Sequence, residues 1–306
     1  MRGIWENEYL CAMFYRRKII LALLQACDGS LPKISLQKLL FLFANRQVKP
    51  SYDFVPYYYG CYSFSANADL TAMVGHGQIS EDTTRFTKTG TEDYIKTLNE
   101  KDKKILNDIK SAYGKLTTNA LMKFTYLNYQ YYAINSKKAK EILTDEQYEK
   151  VMGAKPINHQ TVLYTIGYEG ISLEEYLNRL IKNDVKVLVD VRNNPISMKY
   201  GFSKTQLKTF CASLNIEYLH IPEVGIQSDQ RQELKSQADY DSLFERYKNL
   251  NLRNTVSLQE KILNILKINK RIALTCFEAN ICQCHRKHLA EAIIKLPGWY
   301  YELKHI

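Results

Sequence analysis

The chain has 306 residues, enough for two domains that each bury a core, and its 45% apolar and 24% charged content is that of a globular protein rather than a disordered or fibrous one. The formal charge is +10 with both halves basic, so the imbalance is not confined to a tail and favours an anionic partner, nucleic acid and DNA above all. No run of about 18 uncharged apolar residues exists, and Glu6 and Glu8 stand where a secretory signal would be apolar, so no membrane partner is expected and a cytoplasmic protein follows. Seven cysteines, an odd number at irregular spacings, do not make a disulfide framework and are expected to be reduced.

The first half opens with a helical pattern from Tyr9 to Ala26, a turn at Asp28-Gly29-Ser30-Leu31-Pro32 and an apolar helix from Ile34 to Phe43. An extended aromatic segment, Tyr52 to Gly60, leads to Ser63-Phe64-Ser65, which starts a short helix that stops at Gly75. Ile79 to Thr89 suits a small hairpin, and a further helix is expected from Thr91. This order is that of a winged helix-turn-helix. The run Leu36-Gln37-Lys38-Leu39-Leu40-Phe41 followed by Phe54-Val55-Pro56-Tyr57-Tyr58-Tyr59-Gly60 resembles the winged-helix module that precedes some domains of the domain of unknown function family 488 and, more loosely, the Panacea antitoxin domain. Both resemblances cover residues 10 to 90 and imply a DNA-contacting module; a packing domain that holds a protein partner through its tyrosines is the alternative. Asp69 in the would-be recognition helix speaks against tight groove contact, because phosphates repel a carboxylate.

Residues 92 to 150 read as further helices, including Thr117 to Ala133 and one opened by the capping box Thr144-x-x-Gln147. Tyr126, Tyr129, Tyr131 and Tyr132 are expected to pack rather than to stack on bases. The polar segment Gly153 to His159 marks a boundary, giving a mostly helical domain over residues 1–155 and an α/β domain over residues 160–306.

In the second half, strand signals at Val162 to Ile166, Lys186 to Val189, Ile216 to Leu219 and Ile272 to Thr275 alternate with helices. Ser172-x-x-Glu175 and Ser203-x-x-Gln206 cap the first two helices; others span Asp239 to Asn249 and Val256 to Leu266 and begin near Cys284, and a last strand lies near Trp299 to Leu303. Alternation of this kind predicts a mainly parallel, doubly wound sheet.

Each of the four strands runs at once into reactive or rarely buried residues: Gly167-Tyr168-Glu169, Asp190-Val191-Arg192, Ile221-Pro222-Glu223 and Cys276-Phe277-Glu278. In an open parallel sheet the carboxyl ends of the strands share one edge, so these groups converge on a crevice. Asp190 and Arg192, two apart at a strand end, point to one side; either they form a structural pair or Arg192 binds a substrate anion. Asp190, Glu223 and Glu278 put three carboxylates on this edge, and close carboxylates separate each other's pKa values, which suits one as acid and another as base for cleavage of a glycosidic bond. Cys284-His285-Arg286 begins a helix whose free N–H groups attract an anion, with Arg286 adding charge, His285 a candidate acid or base, and Cys284 expected to have a lowered pKa. Tyr168, Glu169, Asn194 and Cys276 complete the expected substrate contacts. Cys276, Cys282, Cys284 and His285 invite zinc, but Cys-x-Cys-His lacks the usual local spacing, so no metal ligand is assigned; magnesium at the three acids stays open. No Walker loop and no Gly-x-Gly-x-x-Gly follows a strand, which disfavours an ATPase or dinucleotide enzyme.

Thr165 to Gly170, Asp190 to Pro195, Gly201 to Lys204, His220 to Gly225, and Cys276-Phe277-Glu278 through Cys284-His285-Arg286 resemble, in order, the signature blocks of the domain of unknown function family 488. The chain departs from that pattern at Val224, where Leu is usual, and at Met198, where Arg is common. The resemblance implies an α/β domain with a polar pocket and a role in nucleic-acid or nucleotide metabolism. The first functional expectation is therefore a nucleic-acid or nucleotide-processing hydrolase, a DNA glycosylase acting on modified bases in a modification or defence setting. A metal-dependent nuclease and a non-enzymatic, ligand-sensing DNA-binding regulator are the alternatives.

Overall fold

Helix α1 occupies residues 15–26 in the computed structural model, which describes residues 15–227, 234 and 236–306; the expected start of this helix at Tyr9 lies outside them. The chain divides into two units, Met1–Lys155 and Pro156–Ile306. In the first, the left-handed residues Asp28 and Gly29 turn the chain out of α1 into a short strand, β1 (Ser30–Pro32), and helix α2 (Lys33–Ala44). Every residue from Ser35 to Ala44 is buried, including Gln37 and Lys38, which donate to the Ser63 and Cys61 carbonyls. The aromatic segment forms a hairpin, β2 (Val55–Tyr57) with β3 (Gly60–Tyr62), and Ser63 caps α3 (Phe64–Gly75) by accepting from the Ala66 N–H. Strands β4 (Ile79–Glu81) and β5 (Arg85–Lys88) join β1 in a three-stranded antiparallel sheet of order β1-β5-β4.

The described chain of this unit continues with α4 (Glu100–Tyr113), α5 (Thr118–Asn128), α6 (Ala139–Ile142) and α7 (Asp145–Gly153), the last opened by the Thr144/Gln147 capping box. Two helix expectations are corrected. The helix expected from Thr91 starts only at Glu100, because Asn99 takes the cap position and accepts from the Asp102 N–H. The helix expected to reach Ala133 stops at Asn128, where Tyr129 (φ −137°) breaks it into a 3-10 turn. That break turns Tyr129 and Tyr132 edge-on to Phe41 of α2, with ring centroids 4.9 and 4.7 Å away, so these tyrosines pack. Asp69 is also corrected: it faces inward, 2% exposed, paired with Arg16 and Arg17 and accepting from the Tyr52 hydroxyl, and so presents no charge to a groove.

The second unit is built on five parallel strands, β6 (Val162–Gly167), β7 (Val187–Asp190), β8 (Glu217–His220), β9 (Arg271–Cys276) and β10 (Glu302–His305), in the order β10-β6-β9-β7-β8. Helices α8 (Leu173–Lys182) and α9 (Lys204–Ser213) link β6, β7 and β8. Helices α10 (Gln237–Tyr247) and α11 (Val256–Asn269) return the chain to β9, and α12 (His285–Ile293) crosses to β10. Leu163, Val187, Val189, Ile272 and Leu274 pack with Tyr247, Ile262, Leu289 and Ile293 of α10, α11 and α12. The alternate strand residues point the other way, where the Tyr176 hydroxyl of α8 donates to Thr275 Oγ1 at 2.8 Å. The unit is therefore an α/β domain with helices on both faces of a parallel sheet. The register aligns Ile166, Thr275, Asp190 and His220 in one row at the carboxyl ends of β6, β9, β7 and β8.

Candidate functional site

Beyond that row the connections part: β6 leads to α8 on one face, while its neighbour β9 leads to α12 on the other. Adjacent strands with diverging connections leave a crevice at their carboxyl ends. A cleft of about 300 Å³ lies there, walled by Tyr168 after β6, Arg192, Asn193 and Asn194 after β7, and Cys276 and Phe277 at the end of β9.

One wall is a buried charge network. Asp190, 0% exposed, accepts from Arg192 Nε at 2.9 Å, from Nη2 at 2.6 Å, from the Arg192 backbone N–H and from the Tyr218 hydroxyl at 2.6 Å. Arg192 turns its Nη1 to the Tyr168 hydroxyl at 2.7 Å and the Phe202 carbonyl at 2.9 Å. Burial opposes the guanidinium charge, but the Asp190 carboxylate more than offsets it and holds Arg192 above its ordinary pKa. Burial likewise raises the hydroxyls of Tyr168 and Tyr218, the latter also through the Asp190 charge. Tyr168 stacks on Phe202, centroids 4.2 Å apart at 10°, so the network sets an aromatic face in the cleft wall.

The opposite wall carries sulfur and imidazole. Cys276, 1% exposed, donates its S–H to Glu278 Oε2 at 3.1 Å, and its Sγ lies 3.6 Å from His285 Nδ1. His285 Nε2 meets the Val191 carbonyl at 3.1 Å; a carbonyl only accepts, so Nε2 carries the proton and Nδ1 in the neutral ring keeps its lone pair for the sulfur. Cys284 is the N-cap of α12 and His285 its first residue. Sγ of Cys276, Sγ of Cys284 and the His285 ring nitrogen lie within 4.8 Å of one another, a donor set able to hold a metal ion. Arg286 reaches back from α12 to the carbonyls of Glu278 and Ala279, and so fixes the loop that bears Glu278.

Several expected roles change. Asp190 accepts from Arg192 and Tyr218 and is enclosed by them, which is the arrangement of a positioning group, and most of the Arg192 fork is taken internally rather than offered to a substrate anion. Glu223 sits exposed in a 3-10 turn (Pro222–Val224) outside the cleft lining, so three carboxylates do not share one site. Glu169 is exposed and accepts from the Ala279 N–H, which ties the Glu278 loop to the end of β6. Cys284 does not have a lowered pKa: burial and the neighbouring Cys276 and Glu278 push its thiol well up, against the opposing charge of Arg286. Arg286 is 2% exposed; its Nη1 and Nη2 clamp the loop by donating to backbone carbonyls, while its Nε is buried without a hydrogen-bond partner among the described residues. Tyr168, Asn194 and Cys276 line the cleft and His285 stands behind Cys276.

Tyr218, His220 and Phe277 were missed from the residues alone. Tyr218 and His220 alternate along β8 and so share a face, a signal open to inspection; His220 donates from Nε2 to the Arg192 carbonyl at 2.9 Å. Phe277, 42% exposed, stands at the cleft between two polar neighbours, where only the fold distinguishes it from a core residue.

An α/β domain with a polar crevice at the strand ends of a parallel sheet is thus the class that fold and site define. Residues 172–293, which run from the cap of α8 to the end of α12, match the family described as Domain of unknown function DUF488, so the second unit carries a domain of that family. No curated protein and no solved structure matches the chain. Among the described residues no helix is long and apolar enough to cross a membrane.

Proposed function

We propose that the α/β unit is a hydrolase acting on a nucleotide-like or nucleic-acid substrate, with Glu278 as its acid–base group. The observation that carries this reading is the half-buried Glu278 carboxylate in contact with Cys276 Sγ at 3.1 Å, next in the chain to Cys276 and Phe277, which line the cleft. A carboxylate poised between protein and solvent can take a proton from an attacking water and return it to a leaving group. The substrate class follows from the cleft's other walls. Phe277 and Tyr168 offer aromatic faces to a planar group, Asn193 and Asn194 line the cleft with one amide atom each held by backbone, and the net charge of +10 favours a polyanion.

With Asp190 engaged and Glu223 outside the cleft, a glycosylase would work through Glu278 and an activated water rather than through paired carboxylates. In the first unit the order α2, β2–β3 hairpin, α3, β4–β5 hairpin supports the winged-helix reading of a DNA-contacting module. Helix α3 contains neither Lys nor Arg, so phosphate contacts would fall to basic residues outside it. The nuclease alternative is favoured by one specific observation, the Cys276, Cys284 and His285 donor set.

The test is incubation of the purified chain and its Glu278→Gln variant with plain and modified DNA, followed by mass spectrometry of the products. Free base from the wild type alone establishes a glycosylase, and released nucleotides establish a nuclease. Salt-sensitive binding without any product transfers the assignment to a regulator.

A further inference from the structure

We propose that Cys276, Cys284 and His285 bind one zinc-class divalent ion, with its fourth position open towards the cleft beside Glu278. The chemistry assigned to that ion rests on the hydrolase reading; the binding site does not.

With Zn–S near 2.3 Å and Zn–N near 2.05 Å, two tetrahedral ligands of these types stand about 3.5 Å apart. Cys276 Sγ and His285 Nδ1 are 3.6 Å apart, and all three donor atoms fall within 4.8 Å of one another. An S–H···N hydrogen bond alone would account for the Cys276–His285 spacing; the second sulfur, Cys284, gathered with them is what makes the set a tetrahedral donor group. His285 meets the further requirement of a metal-bound imidazole, because its other nitrogen donates to a backbone carbonyl, that of Val191, which fixes the tautomer and the ring plane. All three ligands are buried, so a bound ion would be shielded from competing water on the protein side.

The poor local spacing that disfavours zinc in the sequence concerns only Cys282, Cys284 and His285. The fold draws the third donor from the end of β9 instead, and it leaves Cys282 exposed and outside the cluster. Two thiolates and an imidazole select zinc over magnesium or calcium. Arg286 has no carboxylate partner among the described residues and stands close enough to act on Cys284, so it supplies positive charge beside the thiolates that metal binding would create.

Binding converts two thiols to thiolates and releases two protons to solvent, with no change of oxidation state. In the hydrolase, an ion held by Cys276, Cys284 and His285 would supply Lewis acidity to an attacking water, and Glu278 would take the proton of that water and return it to the departing group. One water is consumed for each bond broken.

The experiment uses the full chain, purified in reductant without chelator, and measures metal content by elemental analysis. Stripped protein is then titrated with Zn(II) and with Co(II), the second read by thiolate-to-cobalt charge transfer and by the visible bands of a tetrahedral centre. One equivalent of either ion is expected. Cys284→Ser and His285→Asn should each weaken binding by at least about tenfold, since disturbing even a second-shell partner costs that much, while Cys282→Ser should bind as the wild type does. Circular dichroism identifies any variant that fails to fold, and the cobalt spectrum of the wild type needs no variant. Sub-stoichiometric binding of both ions by folded wild type, identical affinity of Cys284→Ser and Cys282→Ser, or a Cys276–Cys284 disulfide in place of metal would overturn the site. Hydrolysis by metal-free protein at the loaded rate removes the ion from the mechanism and leaves the hydrolase reading intact. Stoichiometric metal with no turnover does the reverse.

Discussion

A Cβ added to Gly167 would lie 2.0 Å from the carbonyl oxygen of Glu278, so the end of β6 and the loop that bears the candidate acid touch backbone to backbone. The same hypothetical atom would stand 3.1 Å from Arg286 Nη2, the group that clamps this loop. Gly167 is thus required for closeness, since only a residue without a side chain lets the two segments meet.

Gly167→Ala should displace the Glu278 loop. Overpacking against backbone costs about 1–3 kcal/mol, and the displacement should lower turnover more than tenfold, because a shift of about 1 Å in a catalytic group costs up to about a hundredfold. Thermal denaturation and steady-state turnover measured on one preparation check both halves. Wild-type turnover in the folded variant would show that the loop position does not matter.

Glu278→Gln keeps shape and removes the exchangeable proton, so kcat should fall by roughly 10²–10⁴ with substrate binding retained, the range for loss of a general acid or base. Glu223→Gln, on an exposed turn outside the cleft, should leave kcat unchanged. Steady-state kinetics on both variants separates them, and equal losses would contradict the assignment.

Asp190→Asn leaves Arg192 buried beside a neutral amide. Breaking one side of a buried pair costs about 3–5 kcal/mol, so the variant should lose that much stability and release Tyr168 from its place on Phe202. Urea denaturation gives the first quantity and tyrosine fluorescence reports the second. Arg192→Lys should behave similarly, since a single ammonium cannot reach Asp190, Tyr168 and the Phe202 carbonyl together.

Lys38 in α2 is 1% exposed, lines a tyrosine-walled cleft of about 570 Å³ in the first unit, and donates to the Cys61 carbonyl at 2.8 Å. Burial pushes its pKa below the ordinary 10.5, against the Cys61 interaction. Its folded pKa therefore lies below its unfolded one, and between the two the unfolded chain binds more protons. Stability should rise with pH across that window and level off above 10.5, while at neutral pH the buried charge is a net cost. Lys38→Met should raise stability at neutral pH and flatten the slope, as measured by denaturant midpoints from neutral to alkaline pH. A steeper slope in the variant would contradict the sign.

How much of this was legible in the chain differs between backbone and site. The four strand signals at Val162, Lys186, Ile216 and Ile272 fall within a residue of the strands because apolar β-branched runs bounded by polar turns have few other uses. The helix expected to run through Tyr129 and the one expected from Thr91 failed because caps and tertiary aromatic contacts, not local propensity, end helices. The convergence of Tyr168, Arg192 and Cys276 on one cleft followed from parallel topology and needed no side-chain detail.

Alternation and capping in the sequence by themselves determined a parallel α/β unit and which residues stand at its strand ends. Which of those residues are available for chemistry was decided by the tertiary structure alone. Asp190 and Glu223 are both carboxylates after parallel strands, yet one is enclosed by Arg192 and Tyr218 and the other faces solvent. Cys276 and Cys282 are both thiols near α12, yet the strand register brings Cys276 and not Cys282 to His285. Periodicity specifies direction relative to a strand or helix, whereas distance between residues far apart in the chain is set only when helices and sheet close around a common core.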